Sequence, residues 1–272
     1  MVSHFAVLGS PIAHSKSPLL HRAAISVLGI DADYVAHEVT APEFPRFLAA
    51  QDDHALGFSL TMPLKHVVRP LLVSECEMSS LTGAVNTIVR RVDGWHGFNT
   101  DVWGAQTAIT QSLGARFDTA TVLGGGATAA SVVVALRNLE VRDVNILVRN
   151  TQKTKGIEQL AIRLGMNCRV GELGADYVRS DILVNTLPAS AELDAATIET
   201  LDSEALFDVA YNPWPSSLAR EWSARGLPVS SGLLMLLWQA VLQARLFYGD
   251  GIDDELPRES VVVTAMRSSV GL

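Results

Sequence analysis

Four short segments place side chains capable of acid–base and hydrogen-bond chemistry where apolar runs end. The first, Gly9 to Pro18 (GSPIAHSKSP), carries Ser15 and Ser17 ahead of Pro18. Ser17-Pro18 reads as a helix N-cap followed by the first helical residue. The two hydroxyls beside a helix N-terminus read equally as a pocket for a carboxylate. In the second, Ser59 to Lys65 (SLTMPLK), an apolar run ends at Thr61, Pro63 opens a helix and Lys65 falls in its first turn. A cation there opposes the helix dipole. The position is either a solvated lysine or a proton-transfer group held against local preference. The third, Gly83 to Thr87 (GAVNT), holds Asn86, whose amide can bridge a turn or bind a polar molecule. The fourth, Gly97 to Asp101 (GFNTD), ends in a carboxylate that reads as a helix N-cap or as a group facing an interdomain cleft.

A fifth segment, Thr121 to Ala130 (TVLGGGATAA), has different chemistry. A strand pattern meets three glycines and then a small-residue helix, and Gly124, Gly126 and Ala129 fit G-x-G-x-x-A. Glycine permits a tight turn and close approach of a pyrophosphate, which the helix N-terminus then binds through free N–H groups. The next strand ends at Val148-Arg149-Asn150 with no acid, and Arg149, Lys153 and Lys155 form a basic patch. A ribose 2′-OH calls for an acid at this point, whereas a guanidinium suits a 2′-phosphate. NADP is therefore expected over NAD.

These segments need a scaffold, and the chain can supply one. It has 272 residues, 48% hydrophobic and 18% charged, enough for one large or two ordinary domains and incompatible with global disorder. Its 21 basic against 29 acidic residues leave −8, which argues against nucleic-acid and anionic-membrane partners. Cys76 and Cys168 make no disulfide framework and suit a reducing compartment. The first residues show no secretory pattern, and the greasiest segment, Leu233 to Ala244, is too short to span a bilayer and reads as a buried helix ending at polar Gln243 and Arg245. A cytoplasmic protein is expected. With so few cysteines, no thiolate zinc site is expected, and metal is assigned to no residue.

Apolar runs alternate with helical patterns. Strands are expected at Phe5–Gly9, Tyr34–Val39 and Ala55–Thr61, with helices at Ser17–Leu28, Pro42–Ala50 and Pro63–Leu72. Ala84–Arg91 and Trp95–Asn99 suggest a hairpin about Val92-Asp93-Gly94, followed by a helix at Asp101–Leu113. A second alternating series begins at Thr121, with helices expected at Gln152–Leu164 and near Ser217–Arg225. Two last helices, about Leu233–Tyr248 and Arg258–Ser268, lack strands of their own. The expected architecture is α/β: two α/β domains flanking a cleft, the second a Rossmann-type dinucleotide-binding domain. Expected bounds are 1–101 plus 233–272 for the first and 102–232 for the second.

Taken in order and spacing, GSPIAHSKSP, SLTMPLK, GAVNT, GFNTD, VLGGGA and the late GLLMLLWQA resemble the shikimate dehydrogenase family over nearly the whole chain. The resemblance implies reversible hydride transfer between NADP(H) and the 3-dehydroshikimate/shikimate pair, in aromatic biosynthesis. It implies that Ser15 and Ser17 bind the substrate carboxylate, with Thr61 and Tyr211 nearby, and that Asn86, Asp101 and Gln239 bind ring hydroxyls. Lys65 and Asp101 would form the catalytic pair, the lysine as general acid or base and the carboxylate orienting it. Gly124, Gly125, Gly126 and Ala127 would hold the pyrophosphate, Arg149 with Asn150 the 2′-phosphate, and Gly232 and Met235 would lie near the nicotinamide. The chain departs from the family's usual Asn-Arg-Thr at Val148-Arg149-Asn150, and from its usual Thr-Pro after the tyrosine loop at Trp214-Pro215-Ser216.

Three other readings share parts of this pattern. A quinate/shikimate dehydrogenase using NAD would differ at the Ser15 and Ser17 pocket, because quinate bears an extra hydroxyl beside its carboxylate. A non-catalytic nucleotide-sensing protein would keep the glycine turn alone. A methylenetetrahydrofolate-type dehydrogenase shares the two-domain plan, but the HSKSP segment speaks against it. The partner expected is a small molecule, and the chain a monomer or homodimer.

Overall fold

A computed structural model of the chain describes residues 2–114, 116–188 and 190–272; the Lys153 side chain also lies outside the description. The chain divides into two compact units, Met1–Thr100 with Leu236–Leu272, and Asp101–Met235. Among the described residues each unit carries one six-stranded sheet.

Unit 1 runs β1 (Ser3–Gly9), α1 (Ser17–Leu28), β2 (Ala32–Glu38), α2 (Phe44–Ala49), β3 (Ala55–Leu60), α3 (Leu64–Val67), β4 (Ser74–Glu75), α4 (Glu77–Thr82), β5 (Thr87–Arg91) and β6 (Gly94–Phe98). The order across its sheet is β2-β1-β3-β5-β6-β4. The first three strands are parallel, and β5 runs antiparallel to β3 and β6. The sheet is thus mixed: β5 enters reversed against β3, and a tight hairpin at Val92-Asp93 turns the chain back into β6. Phe5 to Leu8 of β1 are buried, as suits a central strand covered on both faces. One core face gathers Leu8, Phe44, Phe58, Leu60 and Ile88; the other gathers Phe5, Val7, Ile25 and Tyr34.

Helix boundaries differ from the expectations where backbone donors are missing. The expected helix Pro63–Leu72 stops at Val67 and continues only as a 3-10 turn, Arg69–Leu71. Pro70 has no N–H for the helical ladder and biases the residue before it away from helix. Helix α1 ends at Gly29, whose φ of 66° lets its N–H reach the Ile25 carbonyl.

Unit 2 runs α5 (Asp101–Leu113), β7 (Thr119–Leu123), α6 (Ala127–Asn138), β8 (Asp143–Val148), α7 (Lys155–Arg163), β9 (Asn167–Glu172), β10 (Val178–Asn185), α8 (Ala195–Glu199), β11 (Leu201–Asp208), α9 (Ser217–Ala224) and β12 (Val229–Ser231). Its sheet is parallel throughout, in the order β12-β11-β10-β7-β8-β9. Counted from β7, that is the doubly wound 3-2-1-4-5-6 arrangement, with its reversal between β7 and β10. The expected helix Gln152–Leu164 is split: Thr151–Lys153 forms a 3-10 turn, since Asn150 accepts the Gln152 N–H at 3.0 Å, and α7 starts only at Lys155.

Helix α10 (Gly232–Tyr248) and helix α11 (Glu259–Val270) end the chain. Within unit 1, α10 lies against β3 at Gly57, where a Cβ would sit 2.5 Å from the Phe247 ring. Helix α11 packs on α1. A part-buried bidentate pair, Arg245 with Glu259, joins α10 to α11.

Candidate active site

In unit 1 the polar segments meet beyond the ends of β1 and β3. Their backbones are laced together: Thr61 N–H donates to Leu8 O at 2.9 Å, Ser10 N–H to Met62 O at 3.0 Å, Leu60 N–H to Asn86 O at 2.7 Å and Val85 N–H to Lys65 O at 2.8 Å. Gly9 is required at this junction, since a Cβ there would overlap the Thr61 methyl and lie 2.8 Å from Met62 O. Thr61, Lys65 and Asn86, far apart in sequence, are therefore neighbours by construction. Thr61 and Lys65 are half-buried, and Asn86 is buried.

Ser17 does not cap α1. Lys16 occupies the cap position and Ser17 is the first helical residue, with the Ser15 hydroxyl accepting its N–H at 3.3 Å. The capping role passes to Ser15 because its side chain lies one residue outside the cap and can turn back onto the first free N–H. The Ser17 hydroxyl, buried at the start of a twelve-residue helix, is not used to cap it. Lys65 also sits differently from expectation. Helix α3 is a single turn of four residues, so its first and last turns coincide and the dipole argument for that lysine does not apply.

Asn86 stands immediately before β5. Its Oδ1 accepts from the Thr100 N–H at 2.9 Å and from the Thr87 hydroxyl at 2.8 Å. Its Nδ2 donates to the Thr100 hydroxyl at 2.8 Å and, more weakly, to Gln239 Oε1 at 3.4 Å. Gln239 is buried on α10 with its Nε2 donating to Leu236 O at 2.8 Å, which turns its Oε1 toward Asn86. Asn86 and Gln239 are thus brought together across 153 positions of sequence. Thr100 has no distinguishing sequence signal. Asp101 follows it as the buried first residue of α5, in unit 2.

In unit 2 the glycine turn lies at the sheet's reversal point. Gly124 has φ of 106°, and a Cβ on it would sit 2.7 Å from the Thr186 hydroxyl at the end of β10. Only glycine meets both conditions. Gly125 and Gly126 are exposed, and among the described residues nothing lies within 4 Å of a Cβ built at Gly126. Helix α6 then begins at Ala127 with no side-chain cap, leaving its first N–H groups for an anion. Buried Ala129 permits the close packing the fingerprint requires. Arg149 and Asn150 are exposed just past β8. The Val148 that replaces the family's usual asparagine packs under Gly125, 3.4 Å from a Cβ built there. These residues fit a dinucleotide with a phosphorylated ribose.

The loop after β11 carries Tyr211. Buried Asp208 fastens it, accepting from Ser216 Oγ at 2.5 Å, Ala210 N–H at 3.0 Å and Asn185 Nδ2 at 3.0 Å. Burial raises the Asp208 carboxyl above the usual carboxylate range, against the pull of those hydrogen bonds. Gly232 opens α10, where a Cβ would overlap the Val209 carbonyl, and Met235 is buried one turn on. Among the described residues, no group of three or more His, Cys, Asp or Glu could hold a metal ion, and no helix is long and apolar enough to cross a membrane.

A parallel sheet in this order, with a glycine turn at its reversal and a basic residue past the second strand, defines an NADP-type dinucleotide-binding α/β protein. A family model for the shikimate dehydrogenase substrate binding domain matches residues 7–88. The shikimate dehydrogenase (NADP(+)) of Sphingopyxis alaskensis is 34% identical over 261 residues, covering 92% of this chain and 94% of the relative. Among solved structures, the Mycobacterium tuberculosis shikimate dehydrogenase superposes with a TM-score of 0.86 at 36% identity, covering 98% of this chain and 99% of the other. That of Thermus thermophilus, in complex with NADP(H) and shikimate, gives 0.81 at 31% identity, covering 98% and 99%. The chain belongs to the shikimate dehydrogenase family.

Proposed function

We propose that this chain catalyses the reversible reduction of 3-dehydroshikimate to shikimate with NADP(H), in the cytoplasm, as a step of aromatic amino-acid biosynthesis. One observation carries the reading: the backbone segments bearing Thr61, Lys65 and Asn86 are laced together, and the Asn86 amide reaches Gln239, in a chain that matches shikimate dehydrogenases along nearly its whole length. Ser15 and Ser17, at the start of α1, are assigned to the substrate carboxylate. Asn86, Gln239 and Asp101 are assigned to ring hydroxyls, and Thr61 and Tyr211 to flanking contacts.

The bound dinucleotide supplies or accepts the hydride. Gly124 to Ala127 hold its pyrophosphate by main-chain N–H groups, Arg149 with Asn150 holds the 2′-phosphate, and Gly232 and Met235 flank the nicotinamide. Lys65 donates a hydrogen bond and then a proton to the carbonyl oxygen as negative charge develops there, and takes that proton back in the reverse direction. Asp101 orients the ammonium and a ring hydroxyl. The domains taken for this division of labour are 1–101 plus 233–272 for substrate and 102–232 for the dinucleotide.

The test is a small matrix: 3-dehydroshikimate or 3-dehydroquinate with NADPH or NADH, followed by nicotinamide absorbance. The reading expects fastest oxidation with 3-dehydroshikimate and NADPH. Preference for 3-dehydroquinate or NADH overturns substrate or cofactor. Tight NADPH binding without turnover makes the protein a sensor.

A further inference from the structure

We propose that Thr87 and Gln243 are positioning residues for the ring-hydroxyl site, acting through a one-way hydrogen-bond relay that sets how the Asn86 amide is presented. The proposal rests on the reading that Asn86 and Gln239 bind a substrate hydroxyl.

The relay lies within unit 1 and is buried at each step: Ser59, Asn86, Thr87, Gln239 and Gln243 all lose nearly all their exposure. It starts at the Tyr34 hydroxyl, which donates to Ser59 Oγ at 2.7 Å; Ser59 donates to Gln243 Oε1 at 2.8 Å. Gln243 Nε2 donates to Thr87 Oγ1 at 2.9 Å and to the Asn86 carbonyl at 3.3 Å. Thr87 donates to Asn86 Oδ1 at 2.8 Å, and Asn86 Nδ2 faces Gln239 Oε1. A second arm joins at Gln243: Tyr248 O–H lies 3.0 Å from His21 Nδ1, and His21 Nε2 lies 3.3 Å from Gln243 Oε1.

The direction of travel follows from two main-chain groups that can each play one part. The Asn86 carbonyl only accepts, so Gln243 must turn its Nε2 toward it and its Oε1 toward Ser59 and His21. The Thr100 N–H only donates, so Asn86 must turn its Oδ1 toward it. Thr87 Oγ1 accepts a hydrogen bond from Gln243, and its hydroxyl hydrogen is directed to Asn86. Hydrogen bonds polarised in one sense strengthen one another, more so in a dry interior.

The output is a paired surface. Asn86 offers an N–H and Gln239 offers Oε1, and the contact between them is long, at 3.4 Å. A hydroxyl both donates and accepts, so it can replace that contact by two better ones. A hydrogen, a methyl ether or a carbonyl at the same ring position satisfies one partner at most. The relay therefore selects a free hydroxyl, and it does so from residues on β5 and α10 that stand behind those assigned to touch substrate.

The test is Thr87→Val, which keeps shape and strand preference and removes the hydroxyl, with Thr87→Ser as the rescue and Gln243→Met as a second cut from another element. The expected result for Thr87→Val and Gln243→Met is a KM for shikimate raised about tenfold, the weight of one oriented hydrogen bond. KM for NADP+ and kcat stay within about twofold, and Thr87→Ser returns the wild-type KM. With a shikimate analogue lacking the bound ring hydroxyl, the variants and wild type become equal. Unchanged shikimate KM, or equal rises in both KM values, overturns the proposal. If neither variant folds, side-chain amide exchange of Asn86 in the wild-type protein decides it: slow exchange, with one set of resonances, supports the relay, and rapid exchange overturns it. A wild-type chain that fails to oxidise shikimate overturns the functional reading instead, and the same exchange measurement then judges the relay by itself.

Discussion

Acidification should weaken unit 1 through His21. The ring is fully buried on α1, stacked on Tyr34 with centroids 4.1 Å apart and planes 2° from parallel. Its hydrogen-bond partners, Gln243 and Tyr248, are uncharged. Burial drives its pKa down from 6.5 to about 3, and the hydrogen bond to Gln243 opposes this only in part. The folded state holds the ring neutral, whereas the unfolded chain protonates it near the ordinary value. Its contribution to stability is thus fully present above about pH 6.5 and lost as pH falls toward 3. The slope in that window is about 1.4 kcal/mol per pH unit, so near pH 4.5 the loss is about 3 kcal/mol. Against a typical total of about 5–15 kcal/mol, that is a large fraction. The assay is urea unfolding at a series of pH values, read by hydrogen exchange on peptides from β1 to β3, so that unit 1 is followed separately. His21→Phe keeps the ring stack and cannot titrate. It is expected to be the weaker protein at pH 7, yet to lose about 3 kcal/mol less than wild type on going to pH 4.5. Parallel profiles for the two proteins would refute the assignment of a buried, neutral histidine.

Three substitutions test the rest. Lys65→Ala should lower kcat by about 10²–10⁴-fold with a much smaller change in KM for shikimate; steady-state kinetics with near-normal turnover would remove Lys65 from the proton transfer. Arg149→Gln should raise KM for NADP+ by at least about tenfold and leave KM for NAD+ unchanged, the loss expected for a charge-assisted contact to the 2′-phosphate. Gly232→Ala forces a Cβ into the Val209 carbonyl, where main chain on both sides has little room to give. It should destabilise unit 2 by about 1–3 kcal/mol, measured from its unfolding midpoint.

Much of unit 2 was legible because its signals are local. A glycine turn between an apolar strand and a small-residue helix identifies itself within ten residues, and the basic residue past the next strand follows at a set interval. The same holds for the β5–β6 hairpin and for α1 with its Pro18 and Gly29. Errors came where a single missing donor changed the outcome, as at Pro70, or where two side chains competed for one role. Ser15 rather than Ser17 serves the first N–H of α1, a difference of one cap position that composition does not resolve. Short elements such as β4 and α8 carry too few residues to show a period.

The buried polar residues were the least legible. Gln243 looks like the polar end of an apolar segment, yet it is 1% exposed and joins His21, Ser59, Thr87 and the Asn86 carbonyl. Nothing in the neighbourhood of any one of these residues announces the others, which lie up to 222 positions away.

By itself the sequence determined which chemical groups are present, the alternation that builds α/β layers, and the glycine turn, since each depends on side-chain type and near-neighbour spacing. Only the tertiary structure decided which amide faces which, that Asn86 meets Gln239, and that a histidine on α1 stays neutral. Those outcomes depend on strand pairing and burial, through which groups remote along the chain come to share one dry, low-dielectric volume, where an unmatched donor or acceptor is costly and its orientation is therefore specified.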